Sequence, residues 1–134
     1  MCIVYSSWDL GTGALDYGAG IAISRAAAKF ATLKGQPKRS IRVVLFAAEE
    51  FGLWGAKAYA KANEKTLSDI VAAAESDFGA DKIWAFESNV HASSLPLVNE
   101  IAAMLKPLNV EYIANNATRN GPDLIQLRPF KVCP

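Results

Sequence analysis

Short apolar runs bounded by turn residues alternate along this chain with longer alanine-rich stretches. "CIVY" (2–5) predicts a short buried strand. "DYGAGIAISRAAAKFATLKG" (16–35) predicts a helix, because alanine and long unbranched side chains favour one and Lys34-Gly35 is a natural stop. "GQPKRS" (35–40) is a turn. "IRVVLFAA" (41–48), apolar and β-branched, predicts a central strand buried on both faces. "LWGAKAYAKAN" (53–63) predicts a second helix. "DIVAAAESD" (69–77) is ambiguous: its alanines favour helix, while a short apolar run ending in polar residues suits a buried strand. "KIWAFESNV" (82–90) predicts a strand. "SSLPLVNEIAAMLKPLN" (93–109) predicts a third helix with Pro96 in its first turn. "VEYIAN" (110–115) is a strand candidate, "GPDLIQLRPF" (121–130) a turn with a short helix, and "KVC" (131–133) the start of a last strand.

Strands alternating with helices imply an α/β fold. No repeat or low-complexity linker divides the 134 residues, so one domain, 1–134, is expected. In open α/β sheets, sites form beyond the carboxyl ends of the strands. That rule gathers acidic stretches on one rim: Asp16 after the first strand, Glu49-Glu50 after "IRVVLFAA", and Asp77 after "DIVAAAES". Each has a bland reading. Asp16 could cap a helix, Glu49 and Glu50 could be solvated first-turn acids, and Asp77 could be a turn residue. Together they could converge on a hard or borderline cation, and two adjacent carboxylates repel unless a cation or proton intervenes.

Composition narrows the field. With 51% hydrophobic and 20% charged residues and a formal net charge of +1, nothing points to nucleic acid or an anionic membrane as partner. No apolar run is long enough to span a bilayer, and "MCIVYSSWD" lacks the pattern of a signal peptide. The compartment stays open. Cys2 and Cys133 read as reduced thiols, and two cysteines with one histidine cannot make the usual four-ligand zinc site. Trp8, Trp54 and Trp84 are expected to fill the core or its margin. His91 is expected at the surface or capping a helix.

"SSWDLGTGALDYGAG" (6–20) carries several glycines, but no Gly-Lys-Ser/Thr ending and no dinucleotide-type spacing. An aspartate at its centre would repel phosphate. A metal loop is the better reading.

Here the motifs become specific. "VYSSWDLGTGALDYGAG", "PKRSIRVVLFAAEEFGLWGA", "ESDFG" and "GPD" occur in the order found in the co-catalytic two-zinc exopeptidases of metallopeptidase clan MH, which this sequence resembles over nearly its whole length. The resemblance implies a three-layer α/β/α sandwich around a mixed, mostly parallel sheet. It implies Asp16 as the carboxylate bridging two zinc ions, with Glu50 and Asp77 each a ligand of one ion. It implies Glu49 as the general base for the bridging water. Ser6, Asp9, Tyr17 and Asp123 fall on positions around those ligands. The chemistry follows from two cations that share one carboxylate, acidify the water between them and polarise the scissile carbonyl, while a nearby carboxylate carries the proton to the leaving amine. The substrate would be a peptide or small amide, and the family is often periplasmic or secreted.

The departures are as definite. The family's first histidine ligand falls on Val4, its supporting aspartate on Ser6, and the acid after its bridging aspartate on Tyr17. His91 matches no ligand position. An all-oxygen set favours magnesium, calcium or manganese over zinc. Two readings therefore stand: a metal-dependent exopeptidase weakened by missing ligands, or a folded relic that binds cations weakly or not at all. Hydrolysis of an easier bond, such as an activated ester, is a weaker third. Exposed sheet edges suggest a homo-oligomer. The family's cis peptide after the bridging aspartate is expected to be trans at Asp16-Tyr17, with Asp16 serving as a helix N-cap.

Overall fold

A computed structural model describes residues 2–5, 18–33, 35–76, 81–116 and 121–127. The chain divides into two compact units, Met1–Ala80 with Gly121–Pro134, and Asp81–Asn120.

The first unit is built on three parallel strands, β1 (Cys2–Tyr5), β2 (Arg42–Leu45) and β3 (Ala73–Glu75), in the order β2-β1-β3. Helix α1 (Ala19–Thr32) connects β1 to β2, and α2 (Trp54–Ala62) lies between β2 and β3. A short helix, α4 (Pro122–Ile125), returns to this unit. The open sheet with intervening helices is the α/β class that the alternating pattern predicts.

α1 ends where its sequence says it should. The Leu33 N–H bonds the Phe30 carbonyl, the Gly35 N–H bonds the Thr32 carbonyl, and Gly35 takes φ +115, which glycine adopts without steric cost. At its start, Gly18 holds the cap position, with helical dihedrals and no side-chain cap bond. Asp16, the expected cap, lies outside the described residues.

The apolar run 41–48 also differs from expectation. β2 is an edge of the described sheet, with Val43 and Leu45 exposed. Within the strand only Val44 is half-buried, and the one fully buried residue of the run is Phe46, just past its end, at 3% exposure. Phe46 joins Ala56 and Ala60 of α2, Leu67 and Leu127 in the core, with Val44, Tyr59, Ile70, Ala73 and Leu124 packed around them. Tyr59 meets the Phe46 ring edge-on at 5.5 Å, and its hydroxyl accepts from Arg42 at 2.6 Å. The ambiguous stretch 69–77 resolves to strand at Ala73–Glu75, where pairing with β1 overrides alanine's helix preference.

In the second unit, β4 (Ala85–Phe86) pairs in parallel with β5 (Glu111–Tyr112), and α3 (Leu95–Leu105) joins them. Phe86 stacks on Tyr112 at 5.0 Å. Beyond the strands, the Asn115 amide bonds both the N–H and the C=O of Val90, each at 2.9 Å, and Ser88 donates to its Oδ1. His91 is exposed, and its Nδ1 accepts the Ser93 N–H at 3.3 Å at the start of a 3-10 turn. Trp54 and Trp84 are both 67% exposed, so neither fills the core as expected; Trp8 lies outside the described residues. Trp54 opens α2 on the solvent side, and Trp84 precedes a strand of only two residues.

Candidate active site

The strand register defines the rim. Tyr5 is level with Leu45, and Val4 with Glu75. The segments leaving β1, β2 and β3 at their carboxyl ends therefore start from one edge of the sheet. Because β1 lies between β2 and β3, the chain reverses its direction of travel across the sheet there. Such a switch point is where open α/β sheets hold ligands.

Glu49 and Glu50 sit in a tight loop between β2 and α2. Ala48 (φ 59) and Leu53 (φ 62) flank it in left-handed conformations that non-glycine residues rarely adopt. Such backbone persists only where the surroundings hold it. Here the Gly52 and Leu53 N–H groups both bond the Glu49 carbonyl at 2.9 Å, and the Trp54 N–H bonds the Ala48 carbonyl at 3.2 Å. Lys57 Nζ caps the Gly52 carbonyl at 2.7 Å, and the Trp54 indole N–H donates to the Phe51 carbonyl at 2.6 Å. The Gly55 N–H bonds the Ala47 carbonyl at 2.9 Å, and a Cβ on Gly55 would lie 2.6 Å from both the nitrogen and the oxygen of Ala47. Only glycine lets α2 press this closely on the end of β2. The loop is thus over-determined, with Glu49 half-buried and Glu50 exposed.

At the end of β3, Glu75 is the well-placed carboxylate. Its Oε2 accepts the Leu124 N–H at 3.0 Å, on the first turn of α4. A negative group is favoured at such an end, where backbone N–H groups lack helical partners. Gly121, at φ +85, allows the approach, since a Cβ there would stand 3.0 Å from Glu75 Oε2. Asp123, on the same turn, is fully buried. Glu75 was not singled out by sequence reasoning. The signal was its place in "ESD", two residues before Asp77.

The structure describes Glu49, Glu50 and Asp123 of the expected site residues. Asp16, Asp77, Ser6, Asp9 and Tyr17, together with the Asp16-Tyr17 peptide, lie outside the described residues. Among the described residues, no three His, Cys, Asp or Glu side chains gather as a metal group. Asp16 and Asp77, two of the three expected ligands, are not among them.

The sequence matches peptidase family M28 over residues 5–128, and the chain belongs to that family. It is 34% identical to Carboxypeptidase Q of Xenopus laevis over 119 residues, covering 88% of this chain and 25% of that protein. It is 32% identical to Carboxypeptidase Q of Homo sapiens over the same span and shares. Among solved structures, the Peptidase M28 precursor from Shewanella amazonensis superposes with a TM-score of 0.87 at 45% identity, over 98% of this chain and 30% of that one. The chain thus spans about a quarter of the length of the curated relatives it matches. The resemblance to metallopeptidases drawn from the motifs is borne out, and the family is generally zinc-dependent.

Proposed function

We propose that this chain carries part of the catalytic machinery of a metal-dependent, exopeptidase-like hydrolase of peptide bonds. The observation that carries the reading is the Glu49-Glu50 loop, a strained and multiply tethered turn at the carboxyl end of β2 in a chain of family M28. Strain held in place by surrounding structure concentrates at functional sites.

The proposed scaffold is the three-layer α/β/α sandwich. β1-α1-β2 and β2-α2-β3 cross the sheet in opposite directions. If both crossovers have the near-universal right hand, α1 and α2 fall on opposite faces.

In this reading Asp16, Glu50 and Asp77 hold the metal, which when bound supplies an acidified water and Lewis-acid polarisation of the carbonyl. Glu49 takes a proton from the attacking water and delivers it to the leaving amine. The tethers on the loop fix the Glu49 backbone, which sets where its side chain starts from.

A second reading, a cation-poor relic, has its own support. Position 4 is valine, and the chain's one histidine, His91, lies in the second unit, engaged with Ser93. Metal analysis of the purified chain, with hydrolysis of aminoacyl anilides measured with and without added zinc, separates the two. Bound metal with zinc-stimulated turnover supports the hydrolase; neither property supports the relic.

A further inference from the structure

We draw no further inference here: the strongest candidate, the exposed apolar face of α3 formed by Leu97, Ile101 and Met104 in the second unit, carries nothing, because nothing in the structure shows what covers it.

Discussion

Glu75 at the end of β3 accepts the backbone N–H of Leu124 on α4, at 3.0 Å, across 49 residues of sequence. This bond ties the return of the chain to the strand that precedes Asp77. Glu75→Ala leaves a partly buried N–H without its acceptor, and the expected loss is about 1–3 kcal/mol. Urea denaturation checks it: the midpoint should fall with the m-value unchanged. Glu75→Gln keeps an acceptor oxygen and should recover part of the loss.

Gly121→Ala acts on the same junction from the other side. The new Cβ meets Glu75 Oε2 at 3.0 Å, at a φ of +85 that disfavours side chains. The expected cost is about 1–2 kcal/mol. Because both substitutions act on one contact, the double variant with Glu75→Ala should be less destabilised than the sum of the two. A double-mutant cycle on denaturation midpoints reads this directly.

Gly55→Ala tests the packing behind the candidate base. Its Cβ would lie 2.6 Å from backbone atoms of Ala47, which cannot rotate away. The expected cost is about 1–3 kcal/mol, with α2 displaced from the loop. A thermal melt gives the destabilisation. Any hydrolysis should fall further than the folded fraction does, because the displacement moves the segment bearing Glu49.

Val4→His restores a side chain of the type the resembled family carries at that position. Tighter zinc binding is expected, by about 10–100-fold, the scale on which even indirect changes around a metal act. Competition against a zinc indicator measures it. An unchanged affinity would remove Val4 from the vicinity of the metal.

Much of the architecture was legible because local and tertiary signals agreed. α1 stops before Gly35, α2 follows the Glu-Glu loop, and α3 accepts Pro96 near its start. The apolar run 41–48 misled because β-branched residues report affinity for a pleated surface and not how many neighbours a strand has. β2 is an edge of the described sheet, and Phe46, just past it, is the residue the core takes. Trp54 misled because aromatic content alone does not say which side of a helix start a ring occupies. The carboxylates Glu49 and Glu50 were legible as a pair after an apolar strand. The strain at Ala48 and Leu53 was not, since neither residue type advertises a left-handed backbone. Glu75 was overlooked because its partner is a main-chain N–H far along the chain, and only its place in "ESD", two residues before Asp77, hinted at it.

The measurement that bears most directly on the central claim is hydrolysis of an aminoacyl anilide by the zinc-loaded chain, compared with Glu49→Gln. A positioned general base contributes about 10²–10⁴-fold. The account predicts zinc-dependent turnover that falls by that factor in Glu49→Gln, with zinc content and denaturation midpoint unchanged. Turnover equal in the two proteins, or none in the wild-type chain with zinc bound, would contradict it.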